Sequence, residues 1–427
     1  MAIIKPFSAI FYNKDKVNLN NIIMPPYDII RDIEQYYARD PYNIIRIDKG
    51  REEPGDCENC NKYTRAKEIM DKWLSEKILL KEDKQYLYVY VQDYMLPDGS
   101  KRQMIGFYAR IKLEEFEKRI ILPHERTHSG PKIDRLELMR QTKANTSPIL
   151  TFFYDSKQVV NSVLLKNINK QPFLEASIDR DLYCKLWKVE KEKDIEIIID
   201  FLKDKQLFIA DGHHRYETAL NFRNEVKQKI GIKGETGYDY IMSVLMDIEH
   251  AGITILPTHR IFKNFPDFSI YSDNIKKFFN ISKVDEREFK FEMDRIDEKK
   301  LGIANKRGFY ILKLKDGNYR ELIKSEPKIK EYYLLSVCIL HFLLFQKILQ
   351  IPEEEIFKNI DYTQNFDEAI EKVKKNEMKI AFFVQPTTTD EIKIISLNNE
   401  VMPQKSTYFL PKLVTGLLIN PLDEHTG

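Results

Sequence analysis

The residues best suited to chemistry in this sequence form one short run: Asp211, Gly212, His213, His214 and Arg215. The apolar stretch 206–210 before it predicts a strand, and the spacing of apolar residues in 214–226 predicts an amphipathic helix. A glycine between a strand and a helix lets the backbone approach a ligand, and the helix start presents N–H groups and a positive dipole end to an anion. Arg215 could grip phosphate oxygens through two parallel hydrogen bonds, and His213 and His214 could donate to phosphate or move a proton near neutral pH. The run therefore predicts a phosphate-binding loop.

The same residue types allow plainer interpretations. Asp211 could simply cap the helix, and one of the two histidines could be a packed side chain with its hydrogen bonds satisfied. A metal site is a further alternative, but adjacent histidines of a strand point to opposite faces, and no third His or Cys lies nearby in the sequence to complete a set. Residue types alone leave these alternatives open.

A second polar cluster lies upstream and consists of Pro123, His124, Glu125, Arg126, Thr127 and His128. Glu125 could act as a general base towards a substrate hydroxyl if the fold brings it near the 211–215 loop. The alternative is a solvated charged turn, within a polar loop expected to run from 123 to 134.

A third polar cluster lies near the C-terminus, at 403–409. Lys405, with the hydroxyls of Ser406 and Thr407, could bind a carboxylate or a phosphate; otherwise the segment is an ordinary polar turn. The segment 257–260, which contains His259 and Arg260, is a weaker candidate of the same kind.

Cys57 and Cys60 form a single CxxC motif. A structural zinc site needs a second pair, and Cys184 and Cys338 are single and distant. A thioredoxin-type motif is expected near a βαβ unit, whereas charges and turn residues surround this one, so we interpret it as incidental. The sequence also lacks a GxxxxGK[ST] loop, a Rossmann glycine fingerprint and a G-x-S-x-G elbow, which disfavours the common nucleotide-binding and hydrolase folds.

Composition narrows the class of protein further. The 427 residues carry 68 Lys+Arg against 66 Asp+Glu, a formal net charge of +2, whereas a dedicated DNA-binding protein would carry a clear basic excess. The most apolar stretch, 333–345, is too short to span a bilayer, which needs about 20 residues, and predicts a buried helix instead. With no visible leader, we expect a protein of the cytoplasm that binds neither nucleic acid nor membrane.

Strand and helix patterns alternate irregularly along the chain. Strands are expected at 85–94, 104–113, 148–154, 206–210, 238–248 and 379–384, helices at 195–202, 214–226, 274–279 and 332–349, and a hairpin at 315–318. This mixture predicts an α+β (mixed α/β) fold, because a doubly wound parallel sheet would alternate more cleanly.

The motifs together resemble a known family. The run DGHHRYETA at 211–219, with PHERTH at 123–128 and MPQKSTYF at 402–409, is similar to the bacterial and archaeal family numbered 1015 among domains of unknown function. The similarity extends over nearly the whole chain and includes Pro26, Tyr27, Asp28 and Asn43.

The same three segments resemble, in order, those of archaeal free-serine kinases of the ParB/sulfiredoxin fold. The resemblance implies that Glu125 takes the proton from the substrate hydroxyl. It further implies that Gly212, His213, His214 and Arg215 hold the nucleotide phosphates, and that Asp211 orients the loop or a water on Mg²⁺. Lys405 and Thr407, with Ser406 between them, would bind the carboxylate of the substrate. The kinases carry a polar residue at the position of Phe409, so amino-acid specificity stays open.

The resemblance also implies three regions: an N-terminal α+β region at 1–120, a ParB/sulfiredoxin-like core at 121–265, and a C-terminal α+β region at 266–427 that contributes the substrate-binding segment. The implied activity is transfer of phosphate from ATP or ADP, with Mg²⁺, to L-serine. Two other functions remain open: a ParB-type nucleotide-binding or nucleotide-hydrolysing switch, and a metal-dependent phosphatase or nuclease using His124, His128, His213 and His214.

Overall fold

A computed structural model of the chain describes residues 1–125, 129–179, 181–231, 234–249 and 252–422. Its strands are β1 (Ile4–Lys5), β2 (Ile10–Tyr12), β3 (Leu79–Lys81), β4 (Leu87–Met95), β5 (Lys101–Lys112), β6 (Ile121–Leu122), β7 (Ala144–Asn145), β8 (Ile149–Phe153), β9 (Leu174–Asp179), β10 (Leu182–Val189), β11 (Leu207–Asp211), β12 (Tyr240–Asp247), β13 (Thr254–Leu256), β14 (His259–Phe262), β15 (Phe279–Val284), β16 (Lys300–Asn305), β17 (Gly308–Leu314), β18 (Ile360–Thr363), β19 (Ile380–Phe383), β20 (Tyr408–Leu410) and β21 (Asn420–Pro421).

Its α-helices are α1 (Leu19–Ile22), α2 (Glu34–Arg39), α3 (Ile45–Asp48), α4 (Lys62–Ser75), α5 (Ser129–Thr142), α6 (Val159–Asn167), α7 (Glu192–Leu202), α8 (His213–Ile230), α9 (Asp273–Phe278), α10 (Glu286–Asp294), α11 (Asp316–Ile323), α12 (Lys330–Tyr333), α13 (Ser336–Cys338), α14 (Glu353–Asn359), α15 (Phe366–Lys374) and α16 (Thr389–Leu397). Short 3-10 helices occupy Phe116–Lys118 and Gly237–Asp239, and a π-helix occupies Ile339–Ile348. The fold is mixed α/β, as the sequence predicts.

The chain divides into two compact units. Met1–Pro123, Thr127–Ile253 and Pro411–Gly427 form unit 1, and His124–Arg126 with Thr254–Leu410 form unit 2. Strands from the expected N-terminal region and the expected core share one sheet of unit 1, because β4 and β5 belong to the same sheet as β8, β11 and β12.

Unit 1 is built on a mixed sheet with the strand order β6-β11-β8-β12-β5-β4-β10-β9, and β1 pairs with β5. The β11–β6 and β12–β8 pairs are parallel, and the other pairs of this sheet are antiparallel. The β4–β5 hairpin confirms two predicted strands. Their β-branched and aromatic residues suit a sheet covered on both faces, and nearly every residue of 87–94 is buried.

The core of unit 1 joins the sheet to helices α6, α7 and α8. Phe107, Ile149 and Leu207 of the sheet pack in one cluster with Ile198 of α7 and Tyr216 of α8, all at most 1% exposed. Burial of each such side chain stabilises the fold by about 1.5–3 kcal/mol. This core fixes β11 and α8, and therefore the junction between them.

Helix α5 corrects the expectation of a polar loop from 123 to 134, because the chain is helical from Ser129 onwards. Pro131 falls in the first turn of this helix, where a proline forfeits no intrahelical hydrogen bond. The helix packs beside α8, with ion pairs from Lys132 to Glu217 (2.7 Å) and from Arg140 to Glu225 (2.6 Å).

Unit 2 contains an antiparallel sheet with the order β15-β17-β16-β19-β14-β18, together with the β13–β20 pair. Helices cover both faces of the sheet, because alternate residues of β19 pack in two different hydrophobic clusters. Ile380 and Phe382 pack in a cluster with the π-helix, whereas Ala381 and Phe383 pack with α10 and α15. Most of the apolar stretch 333–345 is thus buried and, from Ser336 onwards, helical, whereas the single helix predicted at 332–349 is interrupted at residues 334 and 335. No described helix is long and apolar enough to cross a membrane.

The prediction of a hairpin at 315–318 is wrong. Asp316 begins α11, whose Tyr319 and Ile323 are buried at helical spacing. An acidic residue in a first turn stabilises a helix through the dipole, so the Asp-Gly pair opens this helix instead of closing a turn. The neighbouring hairpin turns earlier, where Asn305 of β16 pairs with Gly308 of β17.

Candidate functional site

The junction of β11 and α8 is a tight strand-to-helix turn. Gly212 adopts φ 92° and ψ 27°, a left-handed conformation in which L side chains are strained. A Cβ atom at this position would lie 2.8 Å from Cγ2 of Ile149, which no real Cβ tolerates. The chain therefore requires glycine here, and the turn starts an 18-residue helix whose positive dipole end is directed to the loop.

Asp211 is the anionic centre of this loop. Its Oδ1 accepts a hydrogen bond from Nζ of Lys412 at 2.7 Å, and its Oδ2 accepts one from Nη2 of Arg215 at 2.9 Å. Burial alone would raise the pKa of Asp211, but Lys412 and Arg215 outweigh it and hold that pKa well below its usual range. Asp211 is therefore ionised at neutral pH and fixes two cations at the start of α8.

Arg215 is buried and also donates to the carbonyl oxygen of Pro148, just before β8. Its guanidinium thus ties the first turn of α8 to Asp211 and to the neighbouring strand. In this arrangement Arg215 positions the loop, and its direct grip on a phosphate stays a prediction.

The two histidines occupy different surroundings in the first turn of α8. His213 is 7% exposed and close enough to Asp211 to act on it electrostatically, whereas His214 is half-buried. The next residue, Tyr216, is fully buried. Its hydroxyl donates to the carbonyl of Glu114 at 2.8 Å and accepts from the N–H of Glu114 at 2.9 Å, which locks the helix onto the chain after β5.

The structure adds residues that sequence reasoning missed. Lys412 lay just beyond the third polar cluster, but nothing in its spacing indicated an ion pair with Asp211. Tyr27, to which the family resemblance assigned no role, lies within electrostatic reach of both Arg215 and Arg135, and the Arg135 guanidinium stands 4.1 Å from the centre of its ring. Arg135 in turn lies 3.4 Å from the fully buried Asp48. The surroundings of the loop therefore include charged and aromatic residues beyond the predicted ones.

Glu125 lies in unit 2, where it forms an isolated parallel bridge with Met402. Its Oε1 accepts a hydrogen bond from the backbone N–H of Lys405 at 3.1 Å. Lys405 adopts φ 57°, a conformation that is costly for a residue with a side chain, and such strain clusters at functional sites. The structure thus brings the predicted base and the predicted substrate-binding segment together.

The rest of the 403–409 segment is held by the same unit. Nε2 of His124 is 2.9 Å from Oγ1 of Thr407. Ser406 is 6% exposed and its hydroxyl donates to the carbonyl of Pro403, so its oxygen faces inward. Thr407 is half-buried, and the Lys405 side chain is exposed.

Arg260 holds the 403–409 segment through hydrogen bonds to its backbone. It is 1% exposed, and its Nη2 donates to the carbonyls of Gln404 at 3.3 Å and Lys405 at 3.1 Å. Burial lowers the pKa of Arg260 to about 10, against the opposing influence of neighbours that include Glu125. Its neighbour His259 packs between Phe366 and Phe383 as a core side chain, and burial lowers its pKa to about 3.

The predicted site residues therefore fall into two sets. Unit 1 carries Asp211, Gly212, His213, His214 and Arg215, and unit 2 carries Glu125, Lys405, Ser406 and Thr407. Arg126, Thr127 and His128 lie outside the described residues. Among the residues that the structure does describe, no group of three or more His, Cys, Asp or Glu side chains could hold a metal ion.

Comparison with known proteins gives a family and distant structures. The model of the family described as "Protein of unknown function (DUF1015)" matches residues 4–336. No curated protein matches the chain. A free serine kinase in complex with AMP is similar at 14% identity and a TM-score of 0.38, with 74% of this chain and 91% of that chain covered.

Two further structures are similar at the same distant level. A conserved hypothetical protein from Pyrococcus furiosus has 15% identity and a TM-score of 0.33, over 71% of this chain and 90% of its own. SbnI with C-terminal truncation, from Staphylococcus aureus, has 9% identity and a TM-score of 0.36, over 73% and 87%.

Proposed function

The chain belongs to the DUF1015 family, and from the chemistry of its loop we propose that it is a small-molecule kinase that transfers phosphate from ATP or ADP to the hydroxyl of free L-serine. The observation that carries the proposal is the β11–α8 junction. A left-handed glycine, a helix N-terminus and two cations fixed by Asp211 form an anion site of the kind that phosphate groups occupy. The ordered resemblance of three sequence motifs to the free-serine kinases supports this choice of reaction.

The first step in this proposal is binding of the nucleotide phosphates. The backbone at Gly212, the imidazoles of His213 and His214, and the cations Arg215 and Lys412 neutralise the phosphate charge. Phosphoryl transfer depends mainly on such positioning and charge neutralisation, because the protein has little covalent chemistry to perform.

The acceptor step uses the residues of unit 2. Glu125 accepts the proton of the serine hydroxyl, and the hydroxyl oxygen forms a bond to the terminal phosphorus of the nucleotide. The bond from that phosphorus to its bridging oxygen breaks, so that ATP leaves as ADP, or ADP leaves as AMP. The N–H of Lys405 keeps the Glu125 carboxylate oriented, while the Lys405 ammonium and the Thr407 hydroxyl bind the serine carboxylate.

Mg²⁺ fits this arrangement only as an ion that arrives with the nucleotide. Both carboxylate oxygens of Asp211 already accept hydrogen bonds from cations, and the described residues contain no cage of metal ligands. Mg²⁺ commonly keeps several waters and is held largely by substrate phosphates, whose charge it neutralises. Asp211 would then contact a water on the ion.

Incubation of the purified protein with L-serine, Mg²⁺ and either ATP or ADP tests the proposal, with O-phosphoserine measured by mass spectrometry. Homoserine, threonine and glycerate in parallel reactions define the acceptor. Formation of phosphoserine is the expected result. Absence of a phosphorylated product with every pair of nucleotide and acceptor contradicts the kinase, and nucleotide binding or hydrolysis without transfer would favour a nucleotide switch.

A further inference from the structure

The CxxC segment has a local structure that its sequence did not indicate. Cys57 and Cys60 face each other across a two-residue turn. The N–H of Cys57 donates to the carbonyl of Cys60 at 2.8 Å, and the N–H of Cys60 donates to the carbonyl of Cys57 at 3.2 Å. Residues that exchange both hydrogen bonds in an antiparallel pair have Cα atoms about 5.5 Å apart. That separation lies within the range of about 4.4–6.8 Å that a disulfide spans.

The turn is held in place by the helix that follows it. Asn61, the N-cap of α4, donates from its side chain to the carbonyls of Cys57 at 3.0 Å and Glu58 at 2.9 Å. Asn61 also forms a capping box with Thr64. The two thiols are therefore presented by a turn whose backbone is held by hydrogen bonds.

The chemical surroundings of this pair suit reactive thiols. Both side chains are exposed to solvent. Cys60 is close enough to the Arg65 guanidinium, which is ion-paired with Asp56, to act on it electrostatically, and the pair precedes the positive end of the 14-residue helix α4. Reactive cysteines are found in exposed places beside an Arg or before a helix N-terminus.

The other two cysteines provide an internal contrast. Cys184 and Cys338 are 0% and 2% exposed, and burial raises the pKa of each thiol to about 12. Both remain protonated at neutral pH, and neither is accessible to a reagent in solution. Only the 57–60 pair, among the four cysteines, combines access with a partner in range.

We propose that Cys57 and Cys60 form a redox-active dithiol that a hydroperoxide converts into an intramolecular disulfide. The Cys60 sulfur, beside Arg65, attacks the peroxide oxygen, the O–O bond breaks, and the thiol proton leaves with the alcohol. The Cys57 sulfur then attacks the resulting sulfenic acid, the S–S bond forms, and water departs. Two thiols are oxidised and one hydroperoxide is reduced to an alcohol and water, so the step balances. This oxidation of the two thiols does not depend on the proposed kinase activity.

Treatment of the full-length protein with a stoichiometric hydroperoxide tests the proposal. After denaturation and alkylation, the number of free thiols should fall from four to two, and peptide mapping should find the bridge between positions 57 and 60 in a monomeric chain. A dithiol reductant should restore all four. Four alkylated thiols after treatment, or a bridge between two chains, overturns the proposal.

Two matched variants separate the roles of the cysteines. Cys57→Ser should accumulate a sulfenic acid at position 60 that dimedone traps, whereas Cys60→Ser should not give a trapped adduct. Equal trapping in both variants contradicts the assignment of Cys60 as the attacking sulfur. Metal analysis of untreated protein provides a further check: zinc at one ion per two chains, lost in Cys57→Ser, would show a shared metal site and overturn the dithiol.

Discussion

Replacing Asp211 with Asn removes the charge that holds two cations at the start of α8. The side chains of Asp211, Arg215 and Lys412 are 19%, 7% and 12% exposed, so the ion pairs are largely shielded from water. Breaking a fully buried pair costs about 3–5 kcal/mol, because the remaining charge is left without compensation. Since Asp211 keeps partial contact with solvent, we expect Asp211→Asn to lower the free energy of unfolding by about 2–3 kcal/mol.

A double-mutant cycle with Lys412→Met isolates the interaction. If Lys412 acts mainly through Asp211, the double variant should be more stable than the sum of the single changes predicts, with a coupling energy of about 1–2 kcal/mol. Urea unfolding followed by tryptophan fluorescence measures this coupling energy for unit 1, because both tryptophans, Trp73 and Trp187, lie in that unit.

The matched control is Asp204→Asn, because Asp204 is an exposed carboxylate of the same unit. It should change stability by less than about 0.5 kcal/mol. If Asp211→Asn is equally mild, or if the effects of Asp211→Asn and Lys412→Met simply add, the description of Asp211 as the anchor of the loop is refuted.

The stabilities of the original protein and of Asp211→Asn, measured at different pH values, give a further test. The pKa of Asp211 is lower in the folded chain than in the unfolded chain, so its ionised form stabilises the fold above the unfolded pKa of about 3.9. The stability difference between the original protein and Asp211→Asn should therefore be complete near neutral pH and shrink as the pH falls below about 4. A difference that grows on acidification would contradict the sign of the shift.

Three further predictions concern the loop and its supports. Tyr216→Phe should lower the free energy of unfolding by about 2 kcal/mol in urea denaturation, because both backbone groups of Glu114 lose a buried partner; a change near zero would show that water replaces the hydroxyl. Gly212→Ala, which places a Cβ 2.8 Å from a neighbouring side chain at positive φ, should weaken ADP binding about tenfold in calorimetry, equivalent to about 1.4 kcal/mol; unchanged affinity would remove the loop from the nucleotide site. Arg260→Lys keeps a charge but loses two bonds to backbone carbonyls of the 403–409 segment, so the KM for the acceptor should rise in steady-state assays while the Kd for nucleotide stays the same.

The sequence alone predicted those features of the site that depend on residues close together in the chain. The apolar run before Asp211 and the spacing after Gly212 correctly predicted β11 and α8, because strand and helix periodicities are properties of short segments. The hairpin predicted at 315–318 failed for the opposite reason. A turn signal there competes with the burial of Tyr319 and Ile323, which only the tertiary fold decides.

The partners of the site residues could not be read from the sequence. Lys412 is 201 positions from Asp211, and Lys405 is 280 positions from Glu125, so only the folded chain reveals the two contacts. The sequence also could not predict that Arg215 binds groups of the protein itself. A guanidinium that suits a phosphate also suits the Asp211 carboxylate and the Pro148 carbonyl.

The most direct test of the central claim separates nucleotide binding from phosphoryl transfer in the variant Glu125→Gln. Exposed Glu331 of α12, changed to Gln, serves as the control. With serine and Mg²⁺, Glu125→Gln should bind ADP or ATP with the Kd of the original protein but form phosphoserine about 10²–10⁴-fold more slowly, the usual contribution of a general base. Phosphoserine formation at the original rate in Glu125→Gln, or its absence in the original protein with both nucleotides, would contradict the account.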